Sequence, residues 1–296
     1  MRKLIRAAVR RYIPLSLLAA ASVQANTGLP FADLDTGARS ASLAGAVVAV
    51  PGPQASSYNP AALQGASGRS FVFTHSEWIQ QIDQDYLALV WNGPVQAFGL
   101  AAHVTRSGGL ERRVGPTAEA LGEFSLRESL FEAVYARALN PRLRLGTALK
   151  LIHQSIYLEA AAGAAVDLGL LYQVAPGLQM GLSLRNLGGM GELERAATPL
   201  PRSVRLGLAY SGRPGLLVGL QAQRRRGGST EAAAGVQYRL HPKLNARAGY
   251  QLADSRNLSL GLGLLGARWE LDYAYLPFAN GLGQVHRFSL CLHGGA

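Results

Sequence analysis

Charged side chains recur at every second position in stretches of this chain that are otherwise apolar, and they are the groups with chemistry to offer. Arg144, Lys150, Asp167, Arg185, Arg205, Arg247, Arg268, Glu270, Asp272 and Arg287 fall, with Glu132, on the face that also carries glycine and small polar residues. The opposite face of the same stretches is Leu, Val, Ala and Tyr. A ladder of guanidinium and carboxylate groups has two uses. It guides anionic cargo or clasps an acidic partner, or it pairs within itself and with a segment laid against it, because an unpaired buried charge is too costly. The second use is the default for a polar interior. Asp33, Asp35 and Arg39, upstream of the alternating stretches, are the partners such a segment would bring.

Other chemistries find little support. His75, His103, His153, His241, His286 and His293 show no metal-ligand spacing, and no cofactor motif appears. His153 and Ser155 are too close in sequence to argue a catalytic triad. No catalytic residues are assigned, and an enzyme is not expected. Arg224-Arg225-Arg226-Gly227-Gly228 reads as a solvated loop tip that would touch lipopolysaccharide phosphates. No basic helix or aromatic-basic platform points to nucleic acid.

The elements that position the ladder are strands. In Lys243–Leu252, Leu244, Ala246, Ala248, Tyr250 and Leu252 alternate with Asn245, Arg247, Gly249 and Gln251. In Asn257–Leu264, four leucines alternate with Asn257, Ser259, Gly261 and Gly263. A period of two means a two-sided sheet. In water the charged face of such a sheet would lie outside, as in a β-sandwich or lipocalin-like barrel; in a bilayer the apolar face lies outside and the polar face inside. A soluble interior needs large, tightly packed side chains, whereas the polar face here is rich in glycine and leaves room for something inside. Fourteen such stretches lie between Arg69 and Leu292, an even number, most of them 9–11 residues long, as tilted membrane strands are.

Connections sort the same way. Tight turns at Asn92-Gly93-Pro94, Asn140-Pro141, Ala175-Pro176 and His241-Pro242 alternate with longer links over 106–126, 154–163, 188–201 and 277–283. This predicts short turns on a periplasmic rim, longer loops on the other, and both termini periplasmic.

The N-terminus reads as an export signal. Arg2, Lys3, Arg6, Arg10 and Arg11 precede the apolar run Ile13 to Ala21, and Val23-Gln24-Ala25 offers a cleavage site. Removing residues 1–25 takes 25 residues and five cations from a chain of 296 residues and net charge +11, leaving 271 residues at +6. The single cysteine, Cys291, cannot form an internal disulfide. Residues 26–68 are small-residue-rich and weakly periodic, and read as a compact segment ahead of a barrel formed by 69–296.

Gly37-Ala38-Arg39-Ser40-Ala41-Ser42-Leu43-Ala44-Gly45-Ala46, Tyr58-Asn59-Pro60-Ala61-Ala62-Leu63, His75-Ser76-Glu77-Trp78-Ile79, Asp167-Leu168-Gly169-Leu170-Leu171-Tyr172, Arg185-Asn186-Leu187-Gly188, Arg247-Ala248-Gly249-Tyr250 and Leu271-Asp272-Tyr273-Ala274-Tyr275 occur in this order. As an ordered set the chain resembles the PorV/PorQ family of outer-membrane proteins, grouped with the FadL-type fatty-acid transporters. The resemblance implies a fourteen-stranded barrel plugged by its own N-terminal segment, with Asn59, Pro60 and Ala61 in the plug. It implies a role in protein secretion or surface attachment, with exported proteins or the secretion machinery as partners. The alternative is a FadL-type passive transporter of hydrophobic molecules such as fatty acids. Outer-membrane lipid and lipopolysaccharide are the expected surroundings.

Overall fold

The alternation of side chains dictates the architecture. In the computed structural model, which describes residues 29–294 apart from 35, 66–67, 80–81, 114–118, 194–195, 253–256 and 280, fourteen strands close into one antiparallel barrel. The strands are β1 (Arg69–Trp78), β2 (Ile82–Asn92), β3 (Gln96–Arg112), β4 (Gly122–Ala138), β5 (Leu143–Ile156), β6 (Glu159–Ala175) and β7 (Leu178–Met190). A small hairpin of β8 (Glu192–Leu193) and β9 (Ala196–Ala197) forms a sheet of its own beside β6. The barrel continues with β10 (Ser203–Tyr210), β11 (Leu216–Arg225), β12 (Thr230–His241), β13 (Leu244–Leu252), β14 (Leu258–Leu265), β15 (Trp269–Pro277) and β16 (Gln284–Gly294). β1 closes on β16 with Arg69 opposite Gly294 and Glu77 opposite His286, so no edge is left open.

The outer wall is apolar. Leu149, Leu151, Leu206, Leu262 and Phe288 are about half exposed or more, while Arg185, Arg205, Arg247 and Arg287 are 3% exposed or less. Large apolar side chains outside and arginines inside is the arrangement that lipid, not water, favours. No helix among the described residues is long and apolar enough to cross a membrane.

The wall is uneven in height. β3, β4 and β6 run for 17 residues each, whereas β10 and β14 run for 8. Two of the expected long links are therefore partly strand. β3 and β4 pair out to Arg112 and Gly122, and the 154–163 link shrinks to a turn at Tyr157 and Leu158, with Tyr157 at φ 54. Leu126 and Ile156, which face each other in the ladder, carry the pairing of β4 and β5 to the last residue of β5.

Residues 29–34 and 36–65 lie inside this wall. They form short turns and helices, among them Pro30–Asp33, Ala38–Ser42, Ala55–Ser57 and Pro60–Leu63. Ala38–Ser42 packs on β13 to β16, and Pro60–Leu63 on β3 to β6. What brings backbone onto backbone is a belt of inward glycines: Gly146, Gly169, Gly181, Gly207, Gly219, Gly235, Gly249 and Gly261. Several face one another across the ladder, as Gly146 does Gly169, Gly181 does Gly207, and Gly235 does both Gly219 and Gly249. A methyl group at Gly181 would meet Val48, at Gly219 the carbonyl of Ala46, and at Gly235 or Gly249 the backbone of Leu43. These glycines are there for close approach rather than for an unusual backbone angle.

Candidate functional site: a clasped segment in the lumen

The inner segment is held by two kinds of contact. Asn59 is fully buried at the start of the Pro60–Leu63 turn. Its Nδ2 donates to the carbonyls of Val48 at 2.7 Å and Leu170 at 3.1 Å, and its Oδ1 accepts from the Ala61 N–H at 3.1 Å. Pro60 and Ala61 then lie against Gly146 and Gly169. The Asn-Pro-Ala motif thus ties two parts of the inner segment to each other and to β6. Pro60, which has no N–H to leave unpaired, opens the turn.

Asp33 makes the other kind. Its carboxylate is 3% exposed and gathers donors from three neighbouring strands. Arg185 Nη1, Arg205 Nη2 and Ser203 Oγ donate to Oδ1, each at 2.9 Å; Arg225 Nε at 2.7 Å and Gln223 Nε2 at 2.8 Å donate to Oδ2. Burial alone would raise the Asp33 carboxyl, but the guanidiniums of Arg205, Arg185 and Arg225 outweigh it and hold it well below the usual carboxylate range. Arg185 carries the network onward. Its Nε reaches Asp167 at 3.2 Å, Asp167 meets Lys150 at 2.6 Å, and Lys150 lies 3.4 Å from Glu132. A bulge where β6 meets β7, between Val166 and Leu168, lets both Arg185 and Asn186 turn inward. Asn186, at φ 57, donates its backbone N–H to Asp167 at 2.7 Å and its side-chain amide to the Pro201 carbonyl at 3.0 Å. Lys150, Arg185, Arg205 and Arg225 face Glu132, Asp167, Asp33 and Glu231, an electrically balanced set.

Beside the clasp, the segment covers an apolar seat. Leu29, Phe31 and Ala32 pack on Leu130, Ile152, Ala161, Ala165, Met190 and Leu200, with Leu34 and Leu193 at the margin. Phe31 also lies 5.7 Å from the His103 ring, centroid to centroid.

Two further groups of charge line the wall. Arg247 bonds Glu270 at 2.9 Å, Asp272, and Gln237 at 2.8 Å; Arg39 of the inner segment reaches the same Gln237 at 3.2 Å. Arg287 donates to Ser76 at 2.6 Å and Gln84 at 3.3 Å and lies over the Trp78 ring. Arg144 is half-buried beside Gly65. Among the described residues no group of three His, Cys, Asp or Glu is placed to hold a metal ion.

Two expectations need correction. Arg268 does not face the lumen: it sits exposed in the turn between β14 and β15, because the ladder stops at Leu265 and resumes at Trp269. An alternation counted past a strand end carries no facing information. Arg225 is not part of a solvated tip. β11 continues through it, so the phase that turns Gln221 and Gln223 inward turns Arg225 inward too, onto Asp33 and Glu231. Following the alternation two residues further would have found it. Asp35 and the expected signal segment lie outside the described residues.

No family model and no curated protein matches the chain. Solved structures do. The CymD monoaromatic hydrocarbon channel superposes with a TM-score of 0.70 at 17% identity, over 89% of this chain and 99% of that one. The Ralstonia pickettii toluene transporter TbuX gives 0.66 at 16% identity, over 90% and 100%. A Pseudomonas aeruginosa FadL homologue gives 0.60 at 12% identity, over 87% and 98%. The first two are described as a channel and a transporter, and this chain has the fold that the three share.

Proposed function

We infer that the chain is a passive outer-membrane channel for small hydrophobic molecules, with residues 29–65 acting as its plug, the β3–β4 hairpin facing outward and both termini in the periplasm. The observation that carries this is the apolar seat on the inner wall of β4 to β7. A lumen used only for charge pairing has no need of Leu130, Ile152, Ala161, Ala165 and Met190 side by side behind a short segment held chiefly at one residue. Release of Asp33 uncovers that seat, and a molecule as apolar as Phe31 takes its place. The likeness to proteins described as hydrocarbon channels and toluene transporters supports the same reading. It favours the transport alternative over the secretion role that the PorV/PorQ resemblance put first. No catalytic role is assigned.

Uptake of radiolabelled toluene by cells lacking their own hydrocarbon channels is the test. Expression of the wild-type chain is expected to raise uptake several-fold, and the Asp33→Asn chain at least as much. Uptake equal to that of empty cells, together with a stoichiometric exported protein on purification, would replace transport with docking.

A further inference from the structure

The outer surface of the barrel carries one feature that neither lumen nor plug uses. Where β7, β10 and β11 meet the rim that bears the β8–β9 hairpin, an open groove of about 610 Å³ indents the lipid-facing wall. Its walls are Leu184, Leu187, Val204 and Leu206, and its floor is Ala222, small enough opposite Leu206 to leave the depression. Three exposed arginines, Arg202, Arg224 and Arg226, stand around its upper end. Arg202 is fixed by a 2.9 Å bond from Nη2 to the Gly188 carbonyl, and the Arg226 N–H donates to the Arg202 carbonyl at 2.8 Å, which pins the two side by side. Arg224 points to lipid opposite Val204 in the ladder.

Elsewhere on this rim three arginines are paired with acids, Arg106 with Asp85, Arg113 with Glu111 and Arg225 with Glu231, while Arg112 bonds the Tyr157 hydroxyl. For Arg224 and Arg226 no acidic partner is found among the described residues. The depth fits a headgroup. Leu216 to Arg224 is eight residue steps, about 26 Å along a strand, which a tilt of ~40° reduces to about 20 Å, the greater part of the ~25 Å height of a barrel's apolar band. Guanidinium forks match phosphate oxygens two at a time. Three of them around one groove ask for more than one phosphate, and the groove below asks for acyl chains.

We propose that this groove is a binding site for a phosphorylated glycolipid of the outer leaflet, the lipid A part of lipopolysaccharide, with Arg202, Arg224 and Arg226 on its phosphates and acyl chain over Ala222. A phospholipid brings one phosphate and leaves the triad under-used. The site lies on the outer wall, so its test is independent of what crosses the lumen.

Native mass spectrometry of the detergent-purified full chain, titrated with lipid A, its phosphate-free derivative and phosphatidylglycerol, reads the site. Wild-type protein is expected to retain lipid A about tenfold better than either competitor, and Arg224→Gln/Arg226→Gln to lose about that factor. Arg213→Gln/Arg239→Gln, exposed on the opposite rim, should retain it as wild type does. If the double variant does not fold, Thr230→Glu, opposite Arg224 in the ladder, removes no cation yet is expected to give the same loss. Equal retention of phosphatidylglycerol or of the phosphate-free lipid, or unchanged lipid A retention in the variants, would overturn the proposal.

Discussion

Residues 42–61 and residues 29–34 both lie inside the barrel, but they are held in different ways. The first stretch rests on the glycine belt, where Leu43, Ala46, Val48 and Ala61 touch wall backbone with no side chain between. The second is held by one carboxylate among three guanidiniums, by bonds from Arg185, Asn186 and Arg205 to the carbonyls of Ala32 and Asp33, and by a few apolar contacts. Contact of the first kind is steric. It tolerates no intrusion and has no switch, because packed interiors lose energy abruptly when overfilled. Contact of the second kind is discrete and reversible, since removing one charged group unbalances all of it. The barrel therefore contains a fixed part and a releasable part, and the releasable part is the one covering the apolar seat.

The contrast fails if the two parts respond alike. The largest effect is expected for Gly219→Val, whose side chain would collide with the Ala46 carbonyl. That exceeds the ~1–3 kcal/mol of ordinary overpacking, because backbone on both sides has no rotamer to yield. The unboiled protein should lose its compact, heat-modifiable band on gels. Asp33→Asn should instead leave that band intact. Breaking a buried ion pair costs about 3–5 kcal/mol, spent here on local release, so amide exchange in 29–34 should accelerate by roughly a hundredfold or more. Exchange that is unchanged, or a barrel that no longer assembles, would erase the distinction. Asn59→Ala strands two carbonyls and an N–H inside the fixed part, at about 2–3 kcal/mol. It should lower the barrel's melting temperature without speeding exchange at 29–34.

Much of this was legible in the chain. Alternation as regular as Ser203–Tyr210 fixes which face each residue takes once a strand is granted, so the fourteen strands and most inward charges follow from a period of two. Glycines on the inward face announced that something lies against them. Strand ends were harder, because alternation says nothing about where a ladder stops; Arg268 and the 154–163 link were misjudged for that reason. The clasp was half visible. Asp33 stood out as a possible partner, but its convergence with Arg185, Arg205 and Arg225 depends on how strand positions 20 to 40 residues apart in sequence come together in the closed wall, and on a bulge in β6 and β7 that no periodicity shows.

Acidity gives the finest separation of the two parts. The Asp33 carboxyl is held below its ordinary value in the assembled state, so it binds fewer protons there than when released. Its contribution is complete above the pKa of a free aspartate, about 3.9, and is lost only as pH falls through the depressed value. Amide protection of 29–34, corrected for intrinsic exchange, should therefore be the same at pH 7 and pH 4.5 and fall as pH drops below about 3.9, with no effect at all on the uncharged contacts of 42–61. Protection of 29–34 that does not fall as pH drops below about 3.9 would mean that Asp33 titrates normally, because an unshifted group contributes no pH dependence. The clasp would then be too weak to be the latch, and the apolar contacts of Leu29 and Phe31 would have to hold the segment in its place.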